Sequence, residues 1–437
     1  MNYTKDEVLQ FVEENDVKFV KLAFCDALGA LKNVSILSHQ LYNAFENGLS
    51  IDAASVSGFE QAGISDLFLF PDPKTVTLLP WRPQQGRVAR LFCDIKYSDG
   101  AFFEGDARQI LKKAVAKLKE KGYGCRVGSE CEFYLFRTDN DGEPTKIPHD
   151  YAGYLDCAPL DRGENVRREI CLALEEMGIT PETSHHEHGY GQNEIDFNYS
   201  SPLAAADNFM NFKSVVKSIS AQNGLFASFM PKPFDNESGS GLHINLTLTK
   251  NGESIFKIGD EHCPEAESFI QGILSHAREI TLFTNPTINS YKRFGMFEAP
   301  KFVSWSHQNR SQLIRIPSPD DKGTRMEYRS PDPSCNPYIV FSLLIYAGLS
   351  GIEKNLKLSK PVNVDFNVSA YSEKDFLPLP KNMLEAINEA KTSDFVKENL
   401  GKEFVESFIN LKMKEWNEFS NCNNEDDFFD INYFRRL

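Results

Sequence analysis

CRVGSECEFYLF, residues 125–136, alternates like a strand, yet one of its faces carries two carboxylates, Glu130 and Glu132. Successive side chains on a strand point to opposite faces, so these two glutamates share one. Three further segments repeat the pattern: HHEHGYGQNEIDF (185–197), SGLHINLTL (240–248) and TRMEYRSP (324–331). His243, Asn245 and Thr247 share a face of the second of these, and Arg325, Glu327 and Arg329 share a face of the third. Glu187 and Glu194 flank the HGYG turn and are expected to face each other across a hairpin. A sheet with one face on helices and the other paved with carboxylate, imidazole and guanidinium lines a wet cavity.

Around these strands the chain reads as alternating helices and short strands. The stretch from Asp106, an N-cap, to Gly122, a C′ residue, has its apolar positions Ile110, Leu111, Ala114, Val115 and Leu118 on one face. Further helices are expected near 163–178, 203–222, 264–283, 338–357, 380–392 and 401–416. Toward the N-terminus, VKFVKLA (17–23) and VARLFCDIKY (88–97) alternate like half-buried strands. Residues 50–90 between them, rich in Ser, Gly, Pro and Asp, read as long loops. SDGAFFEGD (98–106) carries turn signals before a clear helix and marks a plausible boundary.

Composition narrows the function. A chain of 437 residues, 41% hydrophobic and 25% charged, buries a large core and is long enough for more than one unit. A net charge of −15 with no basic stripe offers nothing to neutralise nucleic-acid phosphates. The nine cysteines are scattered, odd in number and free of CxxC spacing, which argues for reduced thiols in a cytoplasmic protein. The opening MNYTKDEVLQF lacks a signal peptide's apolar core, and no apolar run approaches membrane-spanning length.

Five glutamates and one histidine recur on the four charged strands. Carboxylates gathered this way raise each other's pKa unless cations hold them. Oxygen ligands with one imidazole suit magnesium or manganese better than zinc. Two such ions would neutralise a nucleotide polyphosphate and a moving phosphoryl group. Arg293, Arg310, Arg315, Arg325 and Arg329 offer bidentate contacts to carboxylate or phosphate oxygens. No GxxxxGK[ST] motif occurs, which argues against a P-loop nucleotide site.

Six ordered markers, GSECEFYLF (128–136), HHEHGYGQNEI (185–195), SGSGLHINLTL (238–248), NPTINSYKRF (285–294), NRSQLIRIP (309–317) and RMEYRSPDPSCNPY (325–338), resemble those of the glutamine synthetase family, in its bacterial type I branch. The resemblance spans nearly the whole chain. It implies an α+β fold: a β-grasp-like N-terminal domain (1–103) and a catalytic domain (104–437) with a curved antiparallel sheet lined by helices. It implies ATP-dependent ligation of ammonia to glutamate through γ-glutamyl phosphate, with two Mg2+ or Mn2+ ions per site. One metal would be held by Glu132, Glu187 and Glu194, the other by Glu130, His243 and Glu327. Arg293 and Arg329 match positions that bind the glutamate α-carboxylate, with Gly239 adding backbone contacts. Arg310, Arg315 and Arg325 match the nucleotide- and phosphoryl-binding arginines, and Glu182, Asn245, Thr247 and Lys322 match ATP contacts. Glu298 matches a flap glutamate that closes the site and accepts a proton from ammonium. Asp52 and Asp66 match loop aspartates that reach a neighbouring subunit's site, Asp52 activating ammonia, within a dodecamer of two hexameric rings.

The chain departs from the family pattern in four places. Ser238 stands where Asn is usual, and the flap RFGMFEAP is one residue short and lacks Pro-Gly. DAAS (52–55) replaces DGSS, and Phe59 replaces a common Trp. These leave open a larger amine as acceptor, as in the related γ-glutamylamide and γ-glutamylpolyamine ligases, although both loop aspartates are kept. A non-catalytic structural or sensing homologue is a third reading, against which stand all six filled metal positions. The tyrosine motif of the adenylylated subtype is not visible in AYSEKDFLPLPKNMLE (370–385).

Overall fold

The computed structural model of the chain describes residues 3–60, 66–256, 263–317, 325–366 and 372–437. It begins with α1 (Lys5–Glu14), whose first turn is closed by Thr4 and Glu7 capping each other's backbone. Then come β1 (Val17–Cys25), β2 (Leu31–Leu37), α2 (Leu41–Asn47), β3 (Leu49–Asp52), β4 (Asp66–Pro71), β5 (Thr77–Leu78) and β6 (Arg87–Lys96). These strands form one sheet in the order β2-β1-β6-β4-β3, with β5 paired to β6. Only the β1–β6 pair in it is parallel among the described residues.

The reading of 50–90 as loops is corrected here, because β4, β5 and the end of β3 lie within it. In DLFLFP, Leu67, Leu69 and Pro71 are buried while Phe68 and Phe70 are half-buried. Its alternation is one of burial between apolar residues, so hydropathy shows no period of two.

The larger part carries α3 (Ala107–Glu120), β7 (Tyr123–Thr138), β8 (Pro144–Pro148), α4 (Glu164–Glu176), β9 (Pro181–His186), β10 (Gln192–Ser200), α5 (Pro202–Gln222), β11 (Leu225–Ser228), β12 (Leu242–Lys250) and β13 (Glu253–Ser254). It continues with α6 (Pro264–Thr284), β14 (Trp305–His307), β15 (Ile314–Ile316), β16 (Met326–Tyr328), α7 (Pro337–Glu353), α8 (Met383–Thr392), α9 (Asp394–Leu400), α10 (Lys402–Ser420) and α11 (Glu425–Phe429). The longer helices fall where the sequence places them, α9 and α11 being additions to that reading; in α3 Asp106 accepts from the Arg108 amide and Gly122 at φ +82° stands just past its end. The second sheet has ten strands in the order β14-β15-β16-β12-β7-β10-β9, with β8 and β11 added on β7 and β13 on β12. Its pairs are antiparallel apart from β14–β15.

The apolar face of this sheet, with Phe133, Ile195, Leu242, Ile244 and Leu246 buried, joins one core with α3, α5, α6 and α7. That core also takes in Ala23, Cys25 and Phe92 from the first sheet, so the two parts share packing. α6 and α7 touch backbone to backbone: a Cβ at Gly272 would collide with the Ala347 carbonyl, and one at Gly351 with the Ser268 carbonyl. All nine cysteines are free. No helix of the described residues is long and apolar enough to cross a membrane.

One buried cation ties the first sheet to helices α3 and α5 of the larger part. Arg108 on α3 donates to Asp72 after β4 (2.9 Å), Asp94 on β6 (2.8 Å) and Asp207 on α5 (3.0 and 3.1 Å). Tyr338 on α7 donates to the same Asp207 at 2.6 Å. Removing one member of a buried ion network costs about 3–5 kcal/mol, because the partners are left unpaired. Arg108→Met is therefore expected to lower the apparent thermal midpoint by roughly 5 °C or more at fixed protein concentration. A shift below about 2 °C in a thermal scan would mean that the guanidinium does not hold the first sheet to these helices.

Candidate active site

The strand registers bring the charged residues into adjacent rows. Glu130 on β7 stands opposite His243 on β12 and Asp196 on β10. Glu132 stands opposite Glu194, which in turn faces His185 on β9. Asn245 faces Glu327 on β16, and Glu327 faces Arg315 on β15. The polar face so assembled opens onto a cavity of about 870 Å3 lined by Glu130, Glu132, Glu187, Glu194 and His243. Gly239, Arg293, Glu298, Arg310 and Arg329 line it too. Eleven of the sequence-assigned positions thus share one row system or one cavity wall with Arg315 and Glu327.

Two groups of side chains offer ligand atoms within 4.8 Å of one another: Glu130, His243 and Glu327, and His185, Glu187 and Glu194. The first is the trio taken from the family resemblance. His243 Nδ1 lies 3.2 Å from Glu130 and 3.5 Å from Glu327. Burial pushes the Glu327 carboxyl up, and the Arg329, His243 and Arg315 charges overrule it, holding it at about 2. It is an anion at any working pH.

The second group differs from the expected Glu132, Glu187 and Glu194. His185 sits between the two outer carboxylates, 3.0 Å from Glu187 and 3.7 Å from Glu194. Glu132 instead accepts from Gln192 Nε2 (2.9 Å) and the Gly241 amide (2.8 Å), keeping its other oxygen toward His243 at 4.0 Å. Nor does Glu187 face Glu194 across the hairpin. It lies just past the end of β9, its amide bonded to the Gln192 carbonyl, while His185 occupies the paired position. His185 was visible in the sequence as the residue two before Glu187, on the same strand face.

The carboxylates do not balance by themselves. Burial, and then the neighbouring Asp196, Glu132, Glu130 and Glu187, push Glu194 well above the carboxylate range. Burial raises Glu132 as well. Glu187 is held down at about 2, since the His185 and His188 bonds outweigh its own burial. Hard, oxygen-rich donors whose crowding pushes one carboxyl up fit a divalent cation, whose charge would relieve that repulsion.

Arginines crowd the same site. Arg329 bonds Glu327 through Nη1 and approaches Glu298 at 3.7 Å, while Arg310 lies 3.9 Å from the same Glu298 oxygen. Arg315 bonds Glu327 at 2.5 Å. Arg293 is buried and donates to the Ser330 (3.0 Å) and Pro331 (3.3 Å) carbonyls. Gly239 packs so closely beneath it that a Cβ there would stand 2.5 Å from Arg293 Cγ. Ser238 donates its hydroxyl to Gln192 Oε1, and Tyr134 donates to the Ser238 carbonyl at 2.5 Å, so the turn before Gly239 is fixed from both sides.

Other sequence-assigned residues lie farther out. Asn245 bridges Glu130 (2.8 Å) and Arg325 (3.2 Å), and Thr247 follows it on the same strand face. Glu182 is exposed on β9. Lys322 lies outside the described residues. Asp52 and Asp66 pair in register at the exposed end of β3 and β4, and Asp52 accepts from Ser55 Oγ at 2.6 Å. Neither lines the cavity of its own chain.

Two family descriptions match this chain: the glutamine synthetase catalytic domain over residues 104–429 and the glutamine synthetase beta-grasp domain over residues 16–98. The chain belongs to the glutamine synthetase family. The glutamine synthetase of Clostridium saccharobutylicum is 46% identical over 428 residues, covering 95% of this chain and 96% of that one. That of Methanosarcina mazei is 46% identical over 423 residues, covering 95% of each. A solved GmaS/ADP complex superposes with a TM-score of 0.87 at 29% identity, covering 97% of this chain and 98% of the other. Plasmodium falciparum glutamine synthetase gives 0.86 at 24% identity over 99% of each chain, a likeness of fold.

If the family's divalent cations bind between these carboxylates, magnesium or manganese should raise the apparent unfolding midpoint, with a shift that grows with metal concentration. Glu194→Ala should shrink that shift by roughly half or more, since binding of a second cation to the native state is lost. An equal shift in both proteins would remove Glu194 from the ligand set.

Proposed function

We propose that this chain forms glutamine from glutamate and ammonia, converting ATP to ADP and phosphate through γ-glutamyl phosphate. The observation that carries this reading is the gathering, around one cavity, of two carboxylate–imidazole groups and several arginines. A carboxylate is a poor acylating group, so its γ-oxygen must first take the ATP phosphoryl group. Glu130, His243 and Glu327 would hold one Mg2+ or Mn2+ ion, and Glu187 and Glu194 the other, with His185 and Glu132 beside them. Such ions supply charge neutralisation for the polyphosphate and the transferring phosphoryl group.

The chain's own residues do the rest. Arg293, Arg329 and the Gly239 backbone orient the glutamate α-carboxylate, and fixed donors of this kind need no rearrangement during reaction. Arg310, Arg315 and Arg325 face the phosphoryl group, and Glu182, Asn245, Thr247 and Lys322 contact the nucleotide. Glu298, set between Arg310 and Arg329, covers the reacting atoms and takes a proton from ammonium. Asp52 and Asp66 act in a neighbouring subunit's cavity, which supports a ring assembly, a dodecamer of two hexamers, of two-domain chains divided near residue 103. The setting is the cytoplasm, with no nucleic-acid or membrane partner.

The second reading, a larger amine as acceptor, draws on Ser238 and the short flap. Three carboxylates, Asp52, Asp66 and Glu298, offer little apolar wall to reward added methylenes, which contribute only about 1–3 kcal/mol even in an apolar pocket. Measured with glutamate and ATP fixed, kcat/KM is expected to favour ammonia over methylamine, ethylamine and putrescine. A clear preference for putrescine or an alkylamine would replace the acceptor and leave the phosphoryl chemistry as it stands.

Asp52→Ala should depress amide formation by at least tenfold more than acyl phosphate formation, because deprotonating ammonium follows phosphoryl transfer. Mixed rings of Asp52→Ala and Glu327→Ala subunits should recover part of the activity, since some sites then draw both intact residues from different chains. Equal losses in both half-reactions, or no recovery in verified mixed rings, would count against the shared site.

A further inference from the structure

The loop Gly295–Ala299 covers the cavity and is closed by its own backbone: Gly295 donates to the Ala299 carbonyl and Ala299 to Met296, both at 3.1 Å. Side chains tie it to the site on two sides. Glu298 faces Arg310 and Arg329. Phe297, its neighbour, also lines the cavity, and the Lys232 ammonium lies 4.9 Å from its ring centroid. Phe297 is 44% exposed and holds φ at +53°, a left-handed backbone that a side chain disfavours. Some contact must offset that conformation, and the Lys232 cation over the ring offers one.

Lys232 itself is immovable. It is 3% exposed, and its ammonium donates to the Glu237 carbonyl at the start of the Ser238–Gly239 turn. Its backbone is clamped by Asn289, which accepts from the Lys232 amide (2.6 Å) and donates to its carbonyl (3.0 Å). Burial, with Arg293, pulls its pKa down to about 8 against the pull of Asp235 and Glu237, which leaves the ammonium charged at neutral pH. One ammonium therefore touches both the turn that carries Gly239 and the loop that carries Glu298.

We infer that Lys232 is a positioning residue, a cation–π latch that holds Phe297 and so keeps Glu298 over the reacting groups, joining flap closure to the glutamate-binding turn. This rests on the proposed role of Glu298 in covering γ-glutamyl phosphate. With the latch lost, water reaches the acyl carbon. A C–O bond to water forms as the bond to phosphate breaks, and glutamate returns with ATP spent and no glutamine made.

The reading is the ratio of phosphate released to glutamine formed, at saturating glutamate and ATP over an ammonium titration. Lys232→Met and Phe297→Leu are each expected to raise the ratio about three- to tenfold, the span a cation–π contact of this exposure allows. The double variant should leak no more than the worse single one, and Lys232→Arg, which keeps a cation over the ring, should stay near wild type. Phe297→Leu changes a half-exposed loop residue, so it decides the matter even if Lys232→Met does not fold. An unchanged ratio in Phe297→Leu, or leaks that multiply in the double variant, would overturn the latch. The wild type is measured first: failure to make glutamine from ammonia would count against the proposed reaction and not against the latch.

Discussion

Like charges crowded on one side of a sheet repel, and this chain's catalytic half is organised around containing that repulsion. Glu130, Glu132, Glu187, Glu194 and Glu327 occupy the cavity side of β7, β10 and β16 and the end of β9, while the reverse side packs apolar residues against helices. Each carboxylate is answered differently. Glu327 is clamped by two arginines, Glu187 by two histidines and Glu132 by an amide pair, while Glu194 is left with too much negative company. The residual anionic field suits the cavity to cations, and the arginines beside it suit it to anions as well.

Much of this was legible in the sequence because a strand's period of two is rigid. Where a segment placed carboxylates two apart, the sheet put them on one face, and the Glu130, His243 and Glu327 group formed as expected. What escaped was register. Counting outward from HGYG (188–191) pairs Glu187 with Gln192, His186 with Asn193 and His185 with Glu194, so symmetry about the turn puts His185, not Glu187, across from Glu194. Hydropathy also hid β4, whose outer residues are phenylalanines half-covered by neighbours, so no polar side announces the strand. Lys232 gave no periodic signal at all. It lies in irregular chain, and only the fold brings residues 232, 237, 289 and 297 together.

The smaller sheet is held to this apparatus through charge as well as packing. Arg108 gathers Asp72, Asp94 and Asp207 in a place with little water, so the first sheet is oriented on helices α3 and α5 by directional bonds in addition to shared core. That orientation governs where β3 and β4 point, and with them Asp52 and Asp66.

The contact between α6 and α7 carries a consequence for how such a chain can change. Gly272 and Gly351 face carbonyl oxygens of the opposite helix, so trimming a neighbouring side chain cannot make room for even one methyl group. The two positions act as a fixed gauge beneath the sheet. Sequence drift that adjusts which amine is accepted is thereby confined to the rim, to the turn at Ser238 and the loop at Phe297. A single methyl group at either position would wedge the two helices of that floor apart.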